Sequence, residues 1–141
     1  TLFIVCGLPA SGKTTFACEL AKATGAAFFD SDTATDRVIQ AAHNAAGLDP
    51  HDRDSELYKT TYREAVYETL FALAEQNLPH TNVIIAGPFT AEIGKKERWL
   101  QLLKQRFTGS SVKLHHLQLS EHERIKRMLK RGAHRDRSKL E

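Results

Sequence analysis

The feature that most constrains this chain is a glycine-rich segment between an apolar run and an amphipathic one. Residues 7–14 have the sequence GLPASGKT, which matches the pattern G-x-x-x-x-G-K-[ST]. The run before it, Leu2–Cys6, is apolar throughout, as in a strand buried on both faces. Lys13–Thr24 follows with apolar residues at helical spacing and Gly25 as its stop. The sequence therefore predicts a strand, a tight turn and a helix, a unit typical of parallel α/β folds.

The residue types in this segment suit the binding of phosphate groups. Glycines let the backbone curl so that successive N–H groups point into one hollow, and the following helix adds the positive charge of its N-terminus. We expect ATP and Mg²⁺ to bind here, with Lys13 on the β- and γ-phosphates and the Thr14 hydroxyl on the metal. A glycine-bearing turn that binds nothing is the alternative, and the flanking strand and helix favour the nucleotide. The predicted nucleotide-binding residues of the segment are Gly7, Pro9, Ala10, Ser11, Gly12, Lys13, Thr14 and Thr15.

The rest of the chain alternates short apolar runs with amphipathic stretches, as in βα units on a parallel sheet. Its 141 residues suit one globular domain, and we expect a single domain over residues 1–141. Further strands are predicted at 26–30, 82–86 and 112–119, and further helices at 36–46, 55–76, 95–106 and 120–131. The helix at 55–76 is expected to bury one face, made of Tyr58, Tyr62, Ala65, Val66, Thr69, Leu70 and Leu73.

The cysteines and histidines do not predict a metal centre. Cys6 and Cys18 are too few for a disulfide framework and lack the spacing of metal ligands, so they indicate buried residues in a reducing compartment. His115 and His116 are adjacent on a predicted strand and face opposite sides of it. No apolar run approaches the roughly 18–20 residues of a membrane span, and the N-terminal run is too short and uncharged for a signal peptide. We therefore expect a cytoplasmic protein with no membrane partner.

Charge is distributed unevenly along the chain. The formal net charge is +3, yet residues 1–94 carry 6 basic and 12 acidic side chains, while residues 95–141 carry 14 and 5. Such a split suggests that the C-terminal third faces something anionic. Nucleic acid, a membrane surface and a polyphosphate all remain open from charge alone, as does a solvated basic helix.

Two carboxylates follow the second predicted strand. Asp30 and Asp32 lie at the carboxyl end of that strand, where ligands bind in open α/β sheets. A carboxylate there can accept the proton of an attacking hydroxyl, as the base of a kinase does. Asp30 is alternatively a ligand of Mg²⁺ through water, and the structural alternative is that Asp32 caps the next helix. We expect at least one of the pair to be catalytic.

Arginines cluster near the C-terminus. Arg124, Arg127 and Arg131 fall at i, i+3 and i+7 and share one face of the predicted helix, and Arg135 follows after Gly132. Phosphoryl transfer develops negative charge on the transferred group, and arginines placed on it accelerate the reaction by about 10³–10⁵. The cluster therefore predicts a lid over the nucleotide that pivots at the glycine. A solvated helix with paired charges is the alternative.

Four segments together resemble a known group: GLPASGKTT, then DSDT, then VIIAGPFT, then RGAHRDRSKL. They resemble the kinase-like P-loop ATPases of the AAA-domain-containing type, which are similar to zeta toxins, chloramphenicol phosphotransferase, gluconate kinases and polynucleotide kinases. The resemblance spans nearly the whole chain. It implies a three-layer α/β P-loop NTPase fold with a parallel sheet in the nucleoside-kinase-like order 2-3-1-4. It also implies Asp32 as the base, with Asp30 beside it, and Arg127, Arg131 and Arg135 as the lid arginines.

The sequence departs from this group in two places. Many P-loop proteins end the third strand with an aspartate that orders Mg²⁺, but this chain has Ala86, Gly87 and Pro88 there. Mg²⁺ is then expected to depend on Thr14, water and Asp30. Relatives usually continue into a further strand after the lid, so we expect the natural domain to extend beyond Glu141.

The sequence thus predicts an enzyme that transfers the γ-phosphate of ATP to a hydroxyl of a small molecule or nucleotide. Catalysis would come mostly from positioning and charge stabilisation. A nucleic-acid 5′-hydroxyl kinase is one alternative, which predicts basic and aromatic residues leading to Asp32; the acidic segment at 49–56 disfavours it. A non-catalytic module that binds ATP as a switch is the other. The sequence does not identify the acceptor.

Overall fold

A computed structural model describes residues 1–118 together with 123, 126, 129 and 130. Its four strands form one parallel sheet in the spatial order β2-β3-β1-β4, which confirms the predicted fold class and strand order. The two central strands, β1 and β3, are buried along their whole length. The strands are β1 Leu2–Cys6, β2 Ala27–Asp30, β3 Val83–Gly87 and β4 Val112–His116.

Helices cover both faces of the sheet and give the predicted three layers. The first helix packs on one face, and the helices that follow β2 and β3 pack on the other. A π-helical turn, Tyr58–Tyr62, precedes the third helix. The helices are α1 Lys13–Thr24, α2 Ser31–Ala45, α3 Arg63–Asn77, α4 Thr90–Ile93 and α5 Lys96–Arg106.

Residues of β1 alternate between two hydrophobic clusters. Leu2, Ile4 and Cys6 face the cluster with α2, α3 and α5, whereas Phe3 and Val5 face the cluster with α1. Because helices cover both faces, a strand of uninterrupted apolar residues is stable at this position. The parallel strands end at one edge of the sheet, so the residues that follow β1, β2 and β3 meet there.

Helix α2 begins earlier than predicted. It starts at Ser31 instead of residue 36, because Asp30 caps it. The Oδ2 atom of Asp30 accepts hydrogen bonds from the N–H groups of Asp32 and Thr33, both at 3.1 Å. The alternative that Asp32 is the cap is therefore wrong, since Asp32 lies in the first turn of the helix.

The π-helical turn changes which face of α3 is buried. The N–H of Arg63 donates to the carbonyl of Tyr58, five residues back instead of four. The extra residue rotates the following turns, so Ala65 and Thr69 are exposed and the predicted buried face is wrong at these two positions. The buried residues of α3 are Val66, Tyr67, Leu70, Phe71 and Ala74.

Strand β4 ends at His116, before the predicted residue 119. Leu117 still donates its N–H to the carbonyl of Cys6 at 2.8 Å. The two histidines face opposite sides, as predicted: His115 packs against Phe16, with 5.2 Å between ring centroids, and His116 is exposed. Of the predicted helix at 120–131 only positions 123, 126, 129 and 130 are described, and these are helical. Within the described ranges, no helix combines the length and apolar character that crossing a bilayer requires.

Candidate functional site

The segment after β1 forms a tight loop that leads into α1. Gly12, directly before the helix, has a φ of 92°, and Ala10 has a φ of 61°. Ser11 donates its N–H to the carbonyl of Leu8 at 3.2 Å and closes a turn within the loop. Glycine adopts a positive φ without strain, which explains the residue type at position 12.

Gly7 is packed too closely for a side chain. A Cβ at this position would lie 2.5 Å from the carbonyl oxygen of Leu117 and 2.7 Å from Oγ of Ser11. The φ of Gly7 is also positive, at 156°. Gly7 and Ser11, both predicted to contact nucleotide, thus pack against each other inside the loop. Neither residue lines the cleft that opens beside the loop.

The start of α1 carries positive charge. In the described part of the chain no side chain caps α1, and its first turn contains no acidic residue. Nζ of Lys13 donates to the carbonyl oxygens of Gly7 at 2.7 Å and Leu8 at 3.0 Å. The ammonium group and the positive end of the helix therefore act on the same region, an arrangement that attracts an anion.

A cleft of about 640 Å³ opens beside this loop. It brings the loop together with the end of β2, the segment that leads into α3, and the residues after β3. The predicted site residues that line it are Pro9, Ala10, Gly12, Lys13, Thr14, Thr15, Asp30 and Asp32. The phosphate loop and the two carboxylates, predicted from separate segments, thus share one cavity.

Thr14 and Asp30 are the predicted ligands of Mg²⁺, and both line the cleft. Asp30 uses Oδ2 to cap α2, which leaves Oδ1 for a metal ion or its water. As the sequence indicated, β3 ends at Gly87 and Pro88 follows, so no carboxylate stands at that strand end. A hydroxyl and one carboxylate, completed by phosphate oxygens and water, are a donor set that Mg²⁺ accepts. The residues present therefore fit a magnesium ion.

The turn after β3 is fixed by the core beneath the cleft. Pro88 and Thr90 line the cavity, whereas the side chain of Phe89, the residue between them, is fully buried in the core. The N–H of Phe89 donates to the hydroxyl of Tyr67 at 2.9 Å, and the two rings stack with centroids 4.2 Å apart. Phe89 has a φ of 46°, an unusual conformation that this packing holds in place.

Sequence reasoning missed three basic residues that line the cleft, namely Arg53, Lys59 and Arg63. Arg53 belongs to the segment at 49–56, which the sequence presents as acidic overall. Tyr58 lines the cleft beside them; burial raises the pKa of its hydroxyl to about 12, Arg53 acts to lower it, and Asp32 acts to raise it. The spacing of Lys59 and Arg63, four residues apart on a predicted helix, is a signal that could have found them.

The predicted lid lies outside the described residues. Arg124, Arg127, Arg131 and Arg135 all fall there, so their nucleotide-binding and catalytic roles stay predictions.

The position of the loop and the order of the strands together define the class of fold. A glycine-rich loop between the first strand and first helix of a parallel sheet, with the strand order 2-3-1-4, is the kinase-like P-loop NTPase fold. A family model described as an AAA domain matches residues 2–141, so the chain belongs to that family. No curated protein matches the sequence.

Several solved structures are similar to this chain. A sugar kinase from Janibacter sp. HTCC2649 is 22% identical with a TM-score of 0.64, over 99% of this chain and 72% of that one. A gluconokinase from Sinorhizobium meliloti 1021 is 20% identical with a TM-score of 0.60, over 98% and 69% of the two chains. A shikimate kinase from Aquifex aeolicus is 20% identical with a TM-score of 0.53, over 89% and 64%. At these identities the likeness establishes the fold alone.

Proposed function

We propose that residues 1–141 form one kinase-like domain that transfers the γ-phosphate of ATP to a hydroxyl of a small molecule. One observation carries the proposal: Lys13, Thr14 and Asp32 line the same cleft, although Asp32 comes from a different strand end. The names of the similar structures, which include a sugar kinase and a gluconokinase, support a small-molecule acceptor. The proposal places the reaction in the cytoplasm, where ATP is abundant and the two free cysteines stay reduced.

In the proposed reaction the acceptor oxygen forms a bond to the γ-phosphorus as the bond between that phosphorus and the β,γ-bridging oxygen breaks. ADP leaves with the electron pair of the broken bond, and Asp32 takes the proton of the acceptor hydroxyl. Lys13 and the N-terminus of α1 hold the β- and γ-phosphates in line with the acceptor. Thr14 and Asp30 would hold Mg²⁺, directly or through water, and the ion would neutralise charge on the phosphate oxygens.

The lid completes this proposal. Arg127 and Arg131 would stabilise the charge that develops on the transferred phosphoryl group, while Arg124 and Arg135 would contact the nucleotide. Arg127→Ala is then expected to reduce transfer by at least about tenfold while ATP still binds through the loop. An unchanged transfer rate in this variant would remove Arg127 from the proposal.

The test is transfer of labelled γ-phosphate from Mg·ATP to a panel of acceptors. The panel holds sugars, hydroxy acids, nucleosides and a 5′-hydroxyl oligonucleotide. Lys13→Ala is expected to lose ATP binding and transfer together, and Asp32→Asn is expected to lose transfer while ATP affinity stays within about twofold of wild type. Lys104→Ala and Glu97→Gln, two exposed positions on α5, are the matched controls and should leave both quantities unchanged.

Two other outcomes would favour the alternatives. ATP binding that depends on Lys13, with no labelled product from any acceptor, supports the non-catalytic switch. Labelling of the oligonucleotide alone supports a nucleic-acid 5′-hydroxyl kinase, a candidate that gains from the basic and aromatic side chains of Arg53 and Tyr58 in the cleft with Asp32. Labelling of small molecules by the wild type, with the signal lost in both Lys13→Ala and Asp32→Asn, supports the kinase proposed here.

A further inference from the structure

Three basic side chains line the cleft that contains Asp32, and the transfer chemistry above uses none of them. Arg53, Lys59 and Arg63 belong to the segment that leads from α2 into α3, and we call them the basic wall. A charged side chain that is largely buried is costly unless it is paired or hydrogen-bonded. Lys59 is exposed, whereas Arg53 and Arg63 are largely buried, so the contacts of these two arginines indicate what the wall is placed to bind.

Arg53 is held in one orientation by several bonds. Its Nη1 donates to the carbonyl oxygens of Asp52 at 2.7 Å and Pro50 at 3.1 Å, and its Nη2 donates to the carboxylate of Asp36. The guanidinium carbon lies 5.4 Å from the ring centroid of Tyr58, and only 12% of the Arg53 side chain is exposed. Because Asp36 is not part of the cleft lining, it orients the guanidinium from outside the cavity.

Arg63, the first residue of α3, is anchored in a similar way. Its Nη2 donates to Oγ1 of Thr90 at 2.8 Å and lies 3.5 Å from a carboxylate oxygen of Glu92, which does not line the cleft. The guanidinium carbon lies 5.6 Å from the ring centroid of Tyr67. The bonds to Thr90 and Glu92 both use Nη2, and Arg63 also hydrogen-bonds the side chain of Tyr67, so these contacts leave only part of its five-donor guanidinium for a ligand.

The π-helical turn joins the basic wall into one surface. Tyr58, Lys59 and Arg63 all line the cleft, and the bond from the N–H of Arg63 to the carbonyl of Tyr58 spans the extra residue between them. Burial raises the pKa of the Tyr58 hydroxyl, and both guanidinium groups act against it, which places both within electrostatic reach of one phenol. Single π-helical turns are rare in proteins, and those that occur often lie at functional sites, so this one is consistent with a binding role.

The charges on the cleft favour an anionic acceptor. Lys13 is occupied with the phosphate loop, and Asp30 with the cap of α2. The remaining acidic residues of the lining are Asp32, the proposed base, and Asp54. The basic wall supplies three cations, of which Arg53 and Arg63 are also paired with Asp36 and Glu92 behind the lining. A neutral polyol offers no charge to two oriented guanidinium groups, whereas a carboxylate or phosphate matches their paired N–H donors.

We propose that the acceptor is a small anionic alcohol, whose carboxylate or phosphate group binds to Arg53 and Arg63 while one of its hydroxyls faces Asp32. The inference rests on the phosphoryl transfer proposed above and names its substrate class. The cleft favours a small molecule over a nucleic acid, because about 640 Å³ must also hold the phosphates of ATP and three carboxylates line it.

The first experiment separates acceptors by charge without knowing their identity. A cell extract is freed of macromolecules by ultrafiltration and divided on an anion exchanger at neutral pH into a retained fraction and a flow-through. Each fraction is incubated with the full chain and labelled Mg·ATP, with Asp32→Asn as the blank. Product from the retained fraction is expected, and product from the flow-through alone, or from a 5′-hydroxyl oligonucleotide alone, overturns the inference.

Phosphatase treatment then distinguishes the two kinds of anion. The retained fraction is incubated with alkaline phosphatase, which is removed before the assay. Label that survives assigns a carboxylate to the acceptor, and label that is lost assigns a phosphate monoester. If no fraction yields product although ATP binds, phosphoryl transfer itself is contradicted and the inference fails with it, an outcome distinct from product in the flow-through.

Variants of the basic wall test the residues. Arg53→Gln and Arg63→Gln are each expected to raise the KM for the isolated acceptor by about tenfold or more, with the KM for ATP unchanged. Arg63→Lys should recover part of the loss, because lysine keeps the charge but not the paired donors. Arg98→Gln, exposed on α5, is the matched control. If the thermal midpoint of Arg53→Gln shows that it does not fold, Arg63→Gln decides, and an unchanged acceptor KM in a folded Arg63→Gln overturns the assignment.

Discussion

Replacing Tyr67 with phenylalanine tests how the turn after β3 is held. The hydroxyl of Tyr67 accepts the N–H of Phe89 at 2.9 Å, and both residues are buried. Tyr67→Phe keeps the stacked ring but leaves this N–H without a partner, which costs about 1–3 kcal/mol of the free energy of unfolding. With a urea m-value of about 2 kcal/mol/M, the midpoint is expected to fall by roughly 0.5–1.5 M.

The assay is urea unfolding followed by the fluorescence of Trp99, the single tryptophan, whose ring centroid lies 5.0 Å from that of Phe89. Tyr62→Phe is the matched control. The Tyr62 ring packs against His43 and Tyr58, and the described part of the chain gives its hydroxyl no hydrogen bond, so a change within about 0.5 kcal/mol is expected. Equal midpoints for the two variants, with equal m-values, would refute the assigned role of the Tyr67 hydroxyl.

Three further predictions concern the phosphate loop and the strands β4 and β1. Gly7→Ala sets a Cβ against a backbone carbonyl and is expected to abolish ATP binding in calorimetry. The control Gly47→Ala, with φ +73° and open space around its Cβ, should cost about 1 kcal/mol of stability and keep the ATP affinity of wild type. Equal ATP affinities of the two variants would contradict the loop packing. Burial lowers the pKa of His115 below 6.5, so the fold favours the neutral ring, and this contribution to stability is complete above pH 6.5 and is lost as the pH falls through the folded pKa. Urea midpoints of His115→Gln should accordingly vary less than those of wild type between about pH 7.5 and pH 5.5, and an identical pH dependence would contradict this. Burial raises the pKa of Cys6 to about 11, so iodoacetamide should modify the half-buried Cys18 first in mass spectra; equal rates would show that the end of β1 opens.

The strands and the loop were predictable because their signals are local. A run such as Leu2–Cys6 is apolar at every position, and only a strand covered on both faces accommodates that pattern. The glycine spacing of residues 7–14 likewise reflects backbone conformation within the segment itself, as the φ of Gly12 illustrates. The signal for the cap of α2 was also local, but two neighbouring aspartates fitted it. Only the backbone geometry assigned the cap to Asp30.

The acceptor side of the cleft was not predictable for two physical reasons. Helical periodicity assumes 3.6 residues per turn, so the π-helical turn before α3 shifted the predicted face without leaving a pattern in the sequence. The contacts that place the two arginines are also long-range: Arg53 binds Asp36, 17 residues away, and Arg63 binds Thr90, 27 residues away. An overall acidic segment at 49–56 therefore concealed a basic residue that faces the cavity.

The two sides of the cleft are built differently, and this has a consequence for how variants behave. The phosphate loop is held by bonds within a few residues, such as those from Lys13 to Gly7 and Leu8. The acceptor side instead joins two elements, because Arg63 binds Thr90 in the turn that Tyr67 anchors. Substitutions on the acceptor side should therefore change stability and acceptor affinity together, whereas Lys13→Ala should change nucleotide affinity with little change in the urea midpoint. A Tyr67→Phe protein that is destabilised but has an unchanged acceptor KM would show that stability and acceptor affinity are not coupled through this turn.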